Sequence, residues 1–168
     1  AKQPAAWSRS RGIRKPLPAN SRYVAVQRRR ATIAAPPAIG GATCVARDEK
    51  TGIAVYELPA GRQPRAWEED LRREFLTNDF ENVPCYRTGA SRWVTPTALV
   101  MLQFRLGVTD AQAADFLVDA GVVAAPKRHP TPGRLDVAVS SPLVAMETAE
   151  RWGASPLVEW AQVNWFRE

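Results

Sequence analysis

Ala98-Leu-Val-Met-Leu-Gln-Phe-Arg105, then Leu106-Gly-Val-Thr-Asp110, then Ala111-Gln-Ala-Ala-Asp-Phe-Leu-Val-Asp-Ala-Gly121 changes hydrophobic period partway along. Its opening is a nearly continuous apolar run ended by Gly107, which predicts a strand. Thr109 with Gln112 three residues on has the form of a capping box, so a helix begins there. Ala113, Phe116, Leu117 and Ala120 make its apolar stripe, Asp115 and Asp119 its wet side, and Gly121 its stop. Downstream, Val122 to Ala125 supplies a second strand, Pro126 to Gly133 a polar loop holding His129, and Leu135 to Val139 a third strand. Ser141 caps another helix with Pro142 at its first position, and Ala145, Met146, Ala149 and Trp152 line its inner face up to Gly153. Leu157 to Phe166 is the closing strand. Residues 98–168 therefore read as α+β in the order βαββαβ, the ferredoxin-like split pair: a four-stranded antiparallel sheet with two helices on one face.

Upstream, residues 43–97 read as a smaller α+β segment. Cys44 to Arg47 and Ile53 to Leu58 flank the turn Asp48-Glu-Lys-Thr-Gly52 as a hairpin. Pro64 opens a helix whose Trp67, Leu71 and Phe75 recur every four residues, with Glu68, Glu69 and Asp70 near the positive end of its dipole. Adjacent Glu68 and Glu69 point about 100° apart on a helix, so they do not converge as a catalytic pair. Asn82 to Arg87 is a further strand, and Trp93 to Thr95 another short extended piece. The β-α-β order of this segment faintly echoes residues 134–162.

Residues 1–42 read as a basic, Pro-rich, mostly flexible arm, with a strand at Tyr23 to Gln27. Charge is unevenly spread. Residues 1–47 carry ten Lys or Arg and no acid, whereas the rest carries 13 basic and 17 acidic residues. Arg9, Arg11, Arg14, Lys15, Arg28, Arg29 and Arg30 are the candidate polyanion contacts, weighed against a solubilising tail. One His, His129, and two cysteines, Cys44 and Cys85, exclude a multi-histidine metal centre and a disulfide framework, so neither metal nor cofactor is expected. The two thiols read as buried rather than bridged, and the sequence leaves open whether their strands are neighbours. No apolar run is long enough to span a bilayer, and the N-terminus has no apolar signal core.

Residues 98–166 resemble the N-terminal prodomain of subtilisin-like serine proteases, the inhibitor-like propeptide family. Four ordered stretches carry the resemblance: Val100-Met-Leu-Gln-Phe-Arg-Leu-Gly-Val-Thr-Asp110, the helix ending at Ala120-Gly121, Leu135-Asp-Val-Ala-Val139, and Leu157-Val-Glu-Trp-Ala-Gln-Val-Asn-Trp165. Residues 43–97 resemble the extra segment that some bacterial relatives carry ahead of the prodomain. The resemblance implies an intramolecular chaperone and inhibitor whose open sheet face packs on two surface helices of the protease, with its C-terminal tail in the substrate cleft. The partner would be a subtilisin-like catalytic domain, in the same precursor or in trans, and the setting secreted or periplasmic. Gln162 and Asn164 match the family's acidic helix-capping positions without their charge, and Trp165, Phe166, Arg167 and Glu168 form the tail. The chain has neither a His-Gly-Thr nor a Gly-Thr-Ser sequence, so it carries no catalytic triad of its own.

Two alternatives share this pattern, a free-standing protease inhibitor and a basic RNA- or DNA-binding ferredoxin-like module. The second needs aromatics on the central strands for base stacking, and those strands offer only Phe104. Trp160, Trp165 and Phe166 are candidate partner anchors; period-two alternation turns Trp160 away from Trp165, so one of those two belongs to the core. Cutting Trp165 to Glu168 is expected to leave the domain folded, because Leu157 to Val163 still complete the sheet.

Overall fold

The computed structural model describes residues 6–10, 13–75 and 79–168. The chain is α+β, with antiparallel sheets and three helices among these residues. It divides into two compact units, residues 1–95 with 165–168, and residues 96–164.

The N-terminal unit starts with an antiparallel pair, β1 (Ala6–Ser10) and β2 (Ile13–Leu17). Next come β3 (Tyr23–Arg28), β4 (Ala38–Ile39), β5 (Ala42–Asp48), β6 (Ile53–Glu57), α1 (Pro64–Glu74) and β7 (Phe80–Val83). They build a five-stranded sheet in the order β4-β5-β6-β3-β7. Its two faces bury different clusters. Val24 and Val26 meet Tyr56, Leu58, Trp67 and Leu71, whereas Tyr23 and Ala25 meet Ile53, Val55, Val83, Cys85 and Trp93. A strand covered on both faces carries no period-two pattern. For that reason β3 looked like a detail of a flexible arm, and the boundary at residue 42 must be corrected: residues 23–28 run through the interior of the largest sheet. This unit is also larger than the minor segment expected.

Trp67 is fully buried and donates its indole N–H to the Ile39 carbonyl at 2.9 Å, which anchors α1. No acid occupies the first turn of α1, so the dipole explanation for its carboxylates is replaced by individual partners. Glu68 accepts from Asn82 at 2.9 Å, Glu69 pairs with Arg65 at 3.6 Å, and Asp70 pairs with Arg62 and Arg73. In the β5–β6 turn Gly52 has φ +74°, and a Cβ there would lie 2.6 Å from Arg28 Cγ. Glycine at that position lets the Arg28 side chain cross the turn and donate to the Glu49 carbonyl at 2.6 Å.

The second unit contains most of β8 (Val94–Phe104), then α2 (Asp110–Asp119), β9 (Lys127–Arg128), β10 (Arg134–Ala138), α3 (Pro142–Gly153) and most of β11 (Val158–Arg167). Sheet order is β11-β8-β10-β9, with β10 antiparallel to both neighbours and Val100 opposite Val137. The extended pieces expected at 93–95 and 98–105 are one strand, which passes through buried Pro96. Val100, Leu102, Phe104, Val137, Ala145, Ala149 and Trp152 are buried. Phe116 of α2 touches Phe104 at 5.5 Å and Trp152 of α3 at 5.8 Å between ring centroids.

The capping box of α2 is formed, Gln112 N–H donating to the Thr109 hydroxyl and Thr109 N–H to the Gln112 side chain. Thr109→Ala should cost about 1 kcal/mol, read from the thermal transition of the second unit. The expected buried stripe of α2 is only half-buried, and no residue of that helix is fully buried. The strand expected at Val122 to Ala125 is absent. Gly121 N–H bonds Val118 O and Val122 N–H bonds Leu117 O, both at 3.0 Å, so Val122 is consumed in closing the helix. This is a Schellman stop, with Gly121 at φ +75°. Pairing with β10 begins only at Lys127.

Candidate functional site

The second unit's sheet has a face turned away from α2 and α3. Along β8, Val100, Leu102 and Phe104 point to the helix side, so Met101 and Gln103 point to the other. The register sets Met101 beside Asp136 and Gln103 beside Arg134, and Lys127 lies beyond Asp136. Trp160 of β11 joins them, because the Arg134 guanidinium lies 5.6 Å from its ring centroid. Alternation then puts Gln162 and Asn164 on that same face, between buried Ala161 and Val163. The Arg134 Nη2 donates to Met101 Sδ at 3.5 Å. Arg134 Nε and Asp136 Oδ1 are buried with no hydrogen-bond partner among the described residues. Gln103 donates to the Pro132 carbonyl at 2.9 Å, which ties the face to the His129 loop.

The six residues read as protease-binding are split by the structure. Gln162 and Asn164 belong to this face, while Trp165, Phe166, Arg167 and Glu168 belong to the N-terminal unit. There the Trp165 ring meets Tyr86 edge-on at 5.9 Å, and Phe166 lies against Trp93 at 5.1 Å. Glu168 accepts from Arg92 Nε at 2.7 Å and from the Arg92 backbone N–H at 3.0 Å. These two donors hold the Glu168 carboxyl below its ordinary range. Arg167 is exposed. Phe166 packs on the cluster of Tyr23, Val55 and Trp93, so cutting the tail removes contacts from the N-terminal unit rather than from the sheet that Leu157 to Val163 complete.

Of the basic candidates, Arg28 is engaged with Glu49, at 3.2 Å to its carboxylate, while Arg29 and Arg30 are exposed. Arg9, Arg14 and Lys15 lie on β1 and β2, with Arg9 opposite Arg14, and Arg11 lies outside the described residues. Cys44 is half-buried and accepts from Arg47 Nε at 3.4 Å. Cys85 is buried, its thiol pushed up to about 12 by desolvation, and the two cysteines are unbridged. His129 is exposed, its Nδ1 accepting from Thr131 N–H at 3.1 Å. Among the described residues no cluster of His, Cys, Asp or Glu could hold a metal ion, and no helix is long and apolar enough to cross a membrane.

Reading the sequence alone missed Arg134, Asp136 and Met101 on the sheet face, and Tyr86, Arg92 and Trp93 beneath the tail. Alternation in Arg134-Leu-Asp-Val-Ala138 carried the signal for the first group, since Arg134 and Asp136 must share the face opposite Val137. No local signal links residues 86–93 to 165–168. No protein-family model, curated protein or solved structure matches this chain.

Proposed function

We propose that the chain is the prosegment of a subtilisin-like serine protease, acting on the catalytic domain as folding chaperone and inhibitor, with a ferredoxin-like second unit. The connection β8-α2-β9-β10-α3-β11 combined with the order β11-β8-β10-β9 supports that architecture. The ring chain Phe104, Phe116, Trp152 supports two helices on one side of the sheet.

One observation carries the functional reading. The other side of the sheet is not a plain polar surface: it centres on Trp160 and Met101, bridged by Arg134, with Arg134 Nε and Asp136 Oδ1 lacking hydrogen-bond partners among the described residues. Trp, Met and Arg are the residues enriched where proteins dock, and a buried unpaired carboxylate oxygen is completed by a donor from outside. Gln162 and Asn164 add amide oxygens that can accept from the N–H groups of a partner helix's first turn. In this reading the tail leaves Tyr86 and Trp93 to enter the substrate cleft by strand pairing. A free-standing inhibitor would use the same face in trans. The nucleic-acid alternative loses its one central-strand aromatic, because Phe104 is turned onto Phe116.

The test uses the purified chain at micromolar concentration against subtilisin-like proteases. The expected result is stoichiometric inhibition together with faster refolding of the denatured catalytic domain. Digestion of the chain as an ordinary substrate, with neither effect, overturns the reading.

A further inference from the structure

Trp165, Phe166 and Arg167 end β11, and with Glu168 they lie against a loop that is held by hydrogen bonds of its own. Tyr86 and Val94 exchange both backbone hydrogen bonds at 2.9 Å, closing a loop whose far end presents Arg92 and Trp93. Within it the Thr88 hydroxyl accepts from Ser91 N–H at 2.9 Å and from Ala90 N–H at 3.2 Å, which fixes the turn. Buried Asn20 then ties the two sides together: its amide donates to the Arg92 carbonyl at 2.7 Å and to the Tyr86 carbonyl at 3.2 Å. Its side-chain oxygen accepts from the Arg22 and Tyr23 backbone N–H groups at 3.0 and 3.1 Å. None of the hydrogen bonds just named involves the tail, so they shape the loop that carries Tyr86, Arg92 and Trp93 independently of it.

We propose that Tyr86, Arg92 and Trp93 are a peptide-binding site for an extended Trp-Phe-x-Glu segment, filled in this structure by the chain's own Trp165–Glu168. Successive residues of an extended segment point to opposite sides. Trp165 therefore meets Tyr86 from one side, while Phe166 and Glu168 share the other and meet Trp93 and Arg92. The Arg92 guanidinium and backbone N–H together take both carboxylate oxygens, a recognition of charge and direction that a bare apolar contact lacks. The occupant is held by tethering, so it competes with any equivalent segment at high effective concentration. The inference stands on the N-terminal unit alone and does not rest on the protease reading.

Two measurements on the full-length chain test it. The Arg92 amide hydrogen, which Glu168 holds, should exchange about tenfold faster in Glu168→Ala than in the parent, with Glu168→Gln between them. An Arg92 amide already unprotected in the parent, or unchanged in Glu168→Ala, overturns the proposal. A labelled, C-terminally amidated peptide of residues 162–168 should bind the Phe166→Ala, Glu168→Ala chain at least about tenfold more tightly than the parent, whose own tail competes. Adding Arg92→Ala to that chain should abolish the gain. Equal peptide binding by parent and variant, or a gain that survives Arg92→Ala, overturns it as well. Both readouts need no protease, so a failure here is separate from a failure to inhibit.

Discussion

Deleting Trp165 to Glu168 is expected to lower the stability of the N-terminal unit by about 3–5 kcal/mol. The estimate comes from two half-buried rings. A fully buried aromatic truncated to Ala costs about 3–5 kcal/mol, its ring contacts included, and a half-buried one on the order of half that. Trp165 loses Tyr86, and Phe166 leaves Trp93 and the cluster beneath it open to water. The Arg92–Glu168 pair is exposed and adds little. Because a domain of this size has only about 5–15 kcal/mol to lose, the loss is large. Calorimetry should show a transition of the N-terminal unit more than about 10 °C lower. An unchanged transition would mean that the tail rings contribute nothing to that core.

The second large effect belongs to the sheet face. Trp160→Ala should weaken protease inhibition at least about 30-fold, the effect of losing one aromatic anchor worth about 2 kcal/mol or more. The substitution also takes away the surface on which Arg134 lies. Folding should persist, since Trp160 is only half-buried and points away from Phe116 and Trp152. Inhibition constants paired with near-ultraviolet circular dichroism separate the two effects. A folded variant with an unchanged inhibition constant would remove this face from the interface.

Local rules made much of the chain legible. The Thr109 and Gln112 box, the Ser141-Pro142 start and the Trp67, Leu71 repeat each concern residues within a turn or two of one another, and such signals need no knowledge of the rest of the fold. Val122 failed for an equally local reason: an apolar stretch after a glycine was read as a strand, although the first residue past that glycine was needed to satisfy Leu117. Pro96 made one strand look like two. The remaining misses are long-range. β3 is an interior strand because partners on both sides, β6 and β7, arrive from 26 or more residues away. Trp165 and Phe166 are claimed by rings at positions 86 and 93. Alternation assigns a side chain to one side of a strand and says nothing about what waits there.

β9 is two residues long, and both Lys127 and Arg128 are exposed and cationic. A strand from another molecule approaching that border of the sheet would find almost no unpaired backbone to extend and two charges repelling its own copy. The long sequence between α2 and β10 thus blunts this one border of the sheet by offering so little regular structure there. At that border the sheet resists the edge-to-edge growth that a longer, apolar strand in the place of β9 would template.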